Sequence, residues 1–290
     1  MDKDITFTTG NITSKDGTRI GYRQLGRGPS LILVHGGLQA AQNLMLLAKE
    51  LSDEFTVYIP DRRGRGISGL PGENYGIQKE SEDLNALLVK TGARYLFGLS
   101  SGALISLYAA CHLSQIRKLA LFEPVLSINN SVPSKFVTRY EKEISKGKLS
   151  SAFITVIKGL RMSPVLNMVP RFILQPVFSL ALRMDNKNDE NDLPLKEIIP
   201  TFHYDNLLVR ELENSLEYFS NVHANVLLMN GSKSPKYLKM PCWELLKVIP
   251  RSSSIEFPGL DHLGPDNTGK PSIVAKELRY FFNGPDPSIM

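Results

Sequence analysis

Short apolar runs alternate with helical patterns through the first 122 residues of this chain. Four of these runs contain few polar positions, and they cover residues 31–34, 55–59, 94–97 and 118–122. Strands that are apolar along their length are typical of a parallel sheet covered on both faces. The helical patterns between them supply the crossovers that parallel strands need. The alternation therefore predicts an α/β fold with a mostly parallel sheet.

The alternation stops between residues 125 and 222 and then resumes. Two opening strands are predicted at residues 5–8 and 19–25, and two late strands at 226–229 and 254–257. The interval between them shows only helical patterns, over residues 133–146, 149–160, 171–184 and 206–219. We predict a core of residues 1–124 and 223–290 with a helical cap inserted at 125–222. The apolar side chains of the cap either pack together and on the core or line the roof of a pocket.

Charge and composition limit the classes of partner. The chain has 34 Lys and Arg against 29 Asp and Glu, a net charge of +5. The basic residues look scattered and form no RNA-binding motif, so no nucleic-acid partner is expected. No apolar run is long enough to span a bilayer, so no membrane partner is expected. The first residues show no secretory signal, and cytoplasmic localisation is the default. Cys111 and Cys242 lack metal-type spacing, so no metal or other cofactor is expected, and the oligomeric state stays open.

The motif GLSSG at residues 98–102 directly follows a predicted strand and precedes a helical pattern over 103–112. This G-x-S-x-G pattern in that position is typical of a nucleophile elbow, a sharp turn that exposes its central serine. Its small outer residues let neighbouring backbone approach closely. The helix that begins there points free N–H groups at the reacting centre. We predict Ser100 as the nucleophile, with Ser101 as the competing serine.

A second motif, HGGL at residues 35–38, ends an earlier strand. Acyl transfer passes through an oxyanion that two preorganised backbone N–H groups can stabilise. One N–H is expected from Ser101, and the other from this loop, from Gly37 rather than Leu38. His35 is interpreted as a structural residue that hydrogen-bonds the loop rather than as the catalytic base.

His262 lies just after the last predicted strand, in the segment GLDHLGP at residues 259–265. A serine hydroxyl needs an adjacent base, and histidine titrates near neutral pH. Ligands of open α/β sheets bind at the carboxyl ends of the strands, where this segment belongs. His112, His203 and His223 lie behind the elbow or in and beside the cap. We therefore predict His262 as the base.

Four motifs follow one another along the chain, at residues 35–37 (HGG), 61–68 (DRRGRGIS), 98–102 (GLSSG) and 261–262 (DH). With these motifs in this order, the chain resembles the α/β-hydrolases, in particular the cap-bearing serine esterases and lactonases. The resemblance implies an α/β-hydrolase fold: a mostly parallel eight-stranded sheet, helices on both faces and an inserted helical cap. It also implies that residues 61–68 form a structural turn whose aspartate and arginines fix the loop.

The chain departs from this family at the acid of the triad. The family usually places an aspartate in the loop after the strand that follows the cap. Here that loop is NGSKSP at residues 230–235, with Ser234 at the matching position and no carboxylate. Glu123 ends the strand after the nucleophile helix, and some haloalkane dehalogenases and zearalenone lactonases carry the acid at a similar place. We predict Glu123 as the acid that orients His262.

The sequence also predicts the backbone conformation of Glu123 and offers alternatives to it as the acid. Pro124 follows Glu123, which predicts extended backbone at Glu123. Asp205 in the cap and Asp261 beside the histidine are the alternative acids.

Together these residues predict a serine hydrolase that cleaves a carboxylic ester or lactone of a small, mainly hydrophobic molecule. An acyl-enzyme on Ser100 is the expected intermediate. A thioesterase or a C–C bond hydrolase would use the same residues. A non-catalytic ligand-binding protein on the same fold also stays open, because fold alone does not fix function.

Overall fold

The computed structural model describes residues 5–162, 164–185, 190 and 192–285. Its eight strands form one sheet in the order β1-β2-β4-β3-β5-β6-β7-β8. β2 runs antiparallel to both of its neighbours, and all pairs from β4 to β8 are parallel. The strands are β1 Thr8–Thr13, β2 Arg19–Gly26, β3 Ser30–Val34, β4 Thr56–Pro60, β5 Tyr95–Leu99, β6 Lys118–Phe122, β7 Asn225–Gly231 and β8 Ser252–Phe257. The predicted mostly parallel, eight-stranded α/β fold is confirmed.

Helices connect the strands and cover the sheet. The α-helices are α1 Met45–Leu51, α2 Ile77–Thr91, α3 Ser101–His112, α4 Val137–Ile144, α5 Leu149–Gly159, α6 Pro164–Met168, α7 Arg171–Met184, α8 Leu195–Ile198, α9 Phe202–Glu211, α10 Lys236–Val248 and α11 Pro271–Asn283. Short 3-10 helices cover Ala41–Leu44, Ile199–Thr201 and Leu216–Asn221. No helix within the described ranges combines the length and hydropathy needed to cross a membrane.

Two apolar layers hold the sheet between helices. On one face, buried side chains of α2, α3 and α10 pack against the sheet, with Leu87, Leu107 and Leu245 among them. On the other face, α1 and α11 pack against it, with Leu47 and Leu278 fully buried. The inner parallel strands β3, β5, β6 and β7 are therefore covered on both sides, which explains their apolar sequences, whereas the edge strand β8 buries only Phe257. The carboxyl ends of the parallel strands are left free to carry loops.

Helices α4 to α9 fill the interval between β6 and β7, and this interval contains no strand among the described residues. A small cluster of its own holds part of this segment together, including Tyr140, Val156 and Phe202. Leu208 of α9 instead joins the core beneath the sheet. The helices thus occupy the predicted cap interval, and the division of the chain into core and cap stays a prediction.

Several elements differ from the sequence-based prediction. The helix predicted over residues 206–219 is instead α9, which ends at Glu211, followed by the 3-10 helix Leu216–Asn221. The first strand is Thr8–Thr13 rather than residues 5–8, and it pairs antiparallel with β2. Only Ile12 of this edge strand is buried, so the sequence has no apolar alternation that would predict the strand. Its bounds follow from the backbone hydrogen bonds to β2. Helix α10 was not predicted, and Pro241 lies inside it, buried against the core.

Candidate active site

Ser100 occupies the turn between β5 and α3. Its backbone has φ 57° and ψ −119°, a conformation that residues other than glycine rarely adopt. The motif's two outer glycines make the turn possible. A Cβ at Gly98 would lie 2.5 Å from Ala103 Cα, and one at Gly102 would lie 2.4 Å from the His35 carbonyl oxygen. The local geometry is that of a nucleophile elbow, with Ser100 at its tip.

The two adjacent serines have different surroundings. Ser100 is partly exposed and lines a cavity below the cap. Ser101 is buried; its hydroxyl donates to Asp205 Oδ1 at 2.8 Å and accepts from Arg62 at 3.1 Å. A hydroxyl held in a buried ionic network is a poor nucleophile, so the geometry favours Ser100 as the reacting serine.

His262 lines the same cavity as Ser100 and contacts Glu123. Its Nδ1 lies 2.6 Å from Glu123 Oε2, while the Gly231 N–H donates to the other carboxylate oxygen at 2.8 Å. Glu123 is fully buried, and both of its oxygens accept from N–H donors. This arrangement places the proton of neutral His262 on Nδ1 and leaves Nε2 free to act as a base.

The backbone of Glu123 differs from the prediction. Its φ is 49°, so the expected extended conformation is wrong. Pro124 disfavours the right-handed helical region for the residue before it, but the left-handed region remains accessible. The Glu123 N–H continues the sheet ladder to the Met229 carbonyl at 2.9 Å. The chain thus turns sharply at the strand end, and the buried contacts of the carboxylate offset the cost of this conformation.

The alternative acids lie in other contacts. Asp205 is bound by Arg62, Arg65 and Ser101. Asp261 is exposed, and its Oδ1 accepts from the Leu263 N–H at 3.0 Å. Among the residues that the structure describes, Glu123 is the carboxylate paired with His262.

The loop after β3 is fixed in one orientation. The Gly36 carbonyl accepts from Arg65 Nη1 at 3.0 Å, and the Gly36 N–H donates to Gln39 Oε1 at 2.8 Å. The peptide bond between Gly36 and Gly37 is trans, so the Gly37 N–H points in the opposite direction to the Gly36 carbonyl and away from Arg65. Gly37, Leu38 and Ser101 line the cavity beside Ser100. Gly37 and Ser101 thus lie beside Ser100, and the oxyanion role of their N–H groups stays a prediction.

His35 is buried behind this loop. Its Nδ1 lies 3.0 Å from the Gly36 carbonyl, and its Nε2 accepts the Arg62 backbone N–H at 3.2 Å. Burial lowers the pKa of His35 well below its ordinary value, and the charges of Arg65 and Arg62 lower it further. His35 is therefore neutral and engaged, which supports the structural interpretation given above.

A buried ion cluster beside the oxyanion loop escaped the sequence analysis. Asp205 of α9 binds Arg62 at 2.7 Å and Arg65 at 2.6 Å, and Glu80 binds Arg62 at 2.8 Å. Burial would raise the pKa of Asp205, but Arg65 and Arg62 hold it below its ordinary value. A Cβ at Gly37 would lie 3.1 Å from the Asp205 carboxylate carbon. The cluster thus ties the predicted cap to the loop, and no motif spacing reveals a pair 143 residues apart.

The turn at residues 61–68 has the loop-fixing contacts that were expected of it. Asp61 accepts from the N–H groups of Ala41 and Ile67 at 2.8 and 3.1 Å. Arg62 and Arg65 extend from this turn into the ion cluster. None of these side chains touches His262.

The cavity above Ser100 is lined mainly by apolar side chains. The lining residues include Leu38, Val125, Val132, Pro133, Phe136, Leu160, Met162, Phe202, Val209, Tyr237, Leu238 and Leu263. Polar groups enter from Gln39, Asp205 and Asn206. Several of the apolar residues come from the predicted cap, so one of its roles is to form part of the roof.

Comparisons with known proteins bear on the fold and the superfamily of the chain. The family model described as "Serine aminopeptidase, S33" matches residues 29–170. An uncharacterized hydrolase, YraK of Bacillus subtilis, is 37% identical over 115 residues, 38% of this chain and 42% of that protein. N-formylmaleamate deformylase of Pseudomonas putida is 34% identical over 127 residues, 42% of this chain and 47% of the relative. The chain thus aligns with less than half the length of these two curated relatives.

A solved structure aligns over nearly the whole chain. It is an α/β hydrolase from Sphaerobacter thermophilus, with a TM-score of 0.76 and 28% identity, and the match covers 94% of this chain and 100% of that one. The eight-stranded, mostly parallel sheet with its helices matches that fold. The chain belongs to the α/β-hydrolase superfamily.

Proposed function

We propose that this protein is a serine hydrolase that cleaves a carboxylic ester or lactone of a small, mainly hydrophobic molecule. The observation that carries the proposal is the 2.6 Å contact between Glu123 and His262, beside a serine in elbow geometry. A buried carboxylate, an imidazole and a serine at one cavity are the parts that acyl transfer needs.

In the proposed reaction, His262 Nε2 takes the proton of the Ser100 hydroxyl as its oxygen attacks the ester carbonyl. Glu123 stabilises the resulting imidazolium, and the N–H groups of Gly37 and Ser101 bind the oxyanion. His262 then protonates the leaving alcohol, and an acyl-enzyme remains on Ser100. In the second half, His262 takes a proton from water, which attacks the acyl group and releases the acid.

The cavity lining supports a neutral, hydrophobic substrate. Apolar side chains predominate, and no Lys or Arg stands among the described residues that line the cavity. Asp205 adds a carboxylate, and its charge is compensated by Arg62 and Arg65. An anionic substrate would lack a Lys or Arg partner in this lining, whereas an apolar acyl or alcohol group gains from burial.

Formyl-amide hydrolysis is the second candidate, because the deformylase is among the more similar relatives. Its name denotes a carboxylate-bearing substrate, which the lining described above disfavours. N-formylmaleamate therefore belongs in the same assay as the neutral esters. Preferential turnover of that compound would replace the ester proposal.

The test combines labelling with a substrate panel. A fluorophosphonate probe should label the wild-type protein, and peptide mapping should place the label on Ser100. Aromatic and medium-chain esters and lactones should be hydrolysed faster than short or charged ones. Ser100→Ala should abolish both signals, while Ser114→Ala, at an exposed serine, should leave both unchanged. A folded protein with neither labelling nor turnover would instead point to ligand binding without catalysis.

A further inference from the structure

Helix α7 turns an apolar face towards solvent. Ile173, Val177, Leu180 and Met184 recur at intervals of four, three and four residues, so they share one side of the helix. All four are exposed, Val177 to 59% and Met184 to 68%. Phe172, at the edge of this side, is 77% exposed. In a surface helix of a globular protein, the apolar side normally faces the core and the polar side faces solvent.

The polar side of the same helix is used for internal contacts. Gln175 Nε2 donates to the Ser150 hydroxyl at 2.6 Å, and the Ser151 hydroxyl donates to Gln175 Oε1 at 2.9 Å. Ser179 contacts Ser150 at 3.0 Å. These hydrogen bonds attach α7 to α5 and fix the rotation of α7 about its own axis. The apolar side is thus held outward by specific contacts.

The short helix α6 extends this surface towards the cavity. Met168, the last residue of α6, is 86% exposed and precedes Phe172 by four residues. Leu160 and Met162, just before α6, line the cavity above Ser100. We use the name cap face for the exposed residues Met168, Phe172, Ile173, Val177, Leu180 and Met184. The segment that carries the cap face therefore begins at the wall of the proposed substrate site.

The stretch of sequence that contains the cap face carries much of the positive charge of the chain. Residues 133–184 contain nine Lys or Arg and two Glu, a net charge of +7. The whole chain has a net charge of +5, so the remaining residues together carry −2. Lys142, Lys146, Lys148, Arg161 and Arg183 are exposed within this stretch. These exposed basic residues belong to the same segment of the chain as the cap face.

We propose that the cap face docks on the surface of an anionic lipid bilayer. An apolar stripe flanked by Lys and Arg suits a helix that lies in the membrane interface, where acyl chains and acidic headgroups meet both kinds of side chain. Net charge argues against a second copy of the chain as the occupant. In a two-fold dimer the same +7 segment would face itself, and like charges at an interface repel.

This proposal departs from the sequence-based expectation of no membrane partner, and it concerns peripheral binding rather than a membrane span. It goes beyond the proposed hydrolase activity and does not depend on it, because docking requires no reaction at Ser100. Failure of either proposal would therefore leave the other intact.

The test is co-sedimentation of the full-length protein with vesicles. Vesicles of phosphatidylcholine containing phosphatidylglycerol should bind the wild-type protein, and phosphatidylcholine alone should bind it at least tenfold more weakly. The double variant Phe172→Gln/Val177→Gln should lower the partition coefficient at least tenfold, as should Lys148→Glu/Arg183→Glu. Raising the salt to 0.5 M should weaken wild-type binding, because it screens the headgroup charge. Ser100→Ala should bind like the wild type.

The matched control is Leu70→Gln/Val89→Gln. It removes two exposed apolar side chains outside the cap, 82% and 73% exposed, and should not change binding. Equal binding to both kinds of vesicle, or no binding to either, would overturn the proposal. A wild-type dimer in light scattering that Phe172→Gln/Val177→Gln converts to monomer would assign the cap face to a second copy.

Discussion

Replacing Glu123 by glutamine tests the proposed triad most directly. In the structure, one carboxylate oxygen accepts from the Gly231 N–H and the other faces His262 Nδ1. Glutamine offers one acceptor oxygen and one NH₂ donor in nearly the same shape. The Gly231 N–H is fixed in the backbone and can only donate, so the amide oxygen must turn to Gly231. The NH₂ group then faces Nδ1, which must become an acceptor.

This exchange inverts the tautomer of His262. With Nδ1 accepting, the proton of the neutral ring moves to Nε2, the nitrogen that must take the proton from Ser100. The amide also lacks the charge that stabilises the imidazolium. The corresponding acid-to-amide change in a serine protease triad lowers kcat by about 10⁴. We expect a similar loss, on the order of 5 kcal/mol in the activation barrier.

Two assays measure this effect without knowledge of the natural substrate. One is the rate constant of fluorophosphonate labelling, and the other is kcat for a p-nitrophenyl ester. The control is Glu256→Gln on β8, two strands away from β6, since Glu256 accepts from Asn230 at 2.8 Å and does not contact His262. The control should keep wild-type rates, and both variants should keep the wild-type far-UV spectrum. If Glu123→Gln retained more than about a tenth of wild-type kcat, the tautomer argument would be refuted.

Three further predictions follow from the site. Ser100→Ala and His262→Ala should each lower hydrolysis by several orders of magnitude, and the double variant should be hardly slower than either single one; additive losses in steady-state assays would contradict a shared mechanism. Asp205→Asn should lower the free energy of unfolding by roughly 3–5 kcal/mol, because the buried Arg62 and Arg65 would lose the negative charge that they share. The folded-state pKa of Asp205 lies below its ordinary value of 3.8, so its stabilisation should be present above about pH 3.8 and vanish as the pH falls through the folded pKa. Urea titrations from pH 8 to 3 measure this, and a difference from the wild type that shrinks already at pH 6 would exclude it. Gly102→Ala should destabilise the fold by roughly 1–3 kcal/mol or more and abolish labelling, since the new Cβ would lie 2.4 Å from the His35 carbonyl; unchanged melting and labelling would show that the elbow tolerates a side chain.

The features that the sequence could predict are those encoded locally. The elbow at Ser100 needs a strand, two close-approach glycines and a helix within a few residues, and all of these can be read directly from the chain. Glu123 could be proposed because strand ends of one parallel sheet share an edge, so that a missing carboxylate in one loop directs attention to the next. The contact with His262 follows from strand order, which the alternation of elements constrains.

The features that escaped prediction depend on distant parts of the chain. β1 carries one buried side chain, so its position is set by pairing with β2 rather than by its own pattern. The left-handed backbone of Glu123 reflects the contacts of its carboxylate and overrides the local preference set by Pro124. The pairing of Asp205 with Arg62 requires knowledge of where a cap helix docks. The sequence around either residue does not show that the two side chains lie close together.

The position of Glu123 has a consequence for how such a protein can diverge. The proposed nucleophile, oxyanion loop and acid all precede the insertion, and only His262 follows it. With Glu123 as the proposed acid, the loop at residues 232–234 does not have to hold a carboxylate beside the imidazole, so its length and composition can change. The helices between β6 and β7 begin after the acid and end before β7, so they can be exchanged between relatives as one cassette. The main constraint on such a graft is an aspartate at the place of Asp205, which must still meet Arg62 and Arg65.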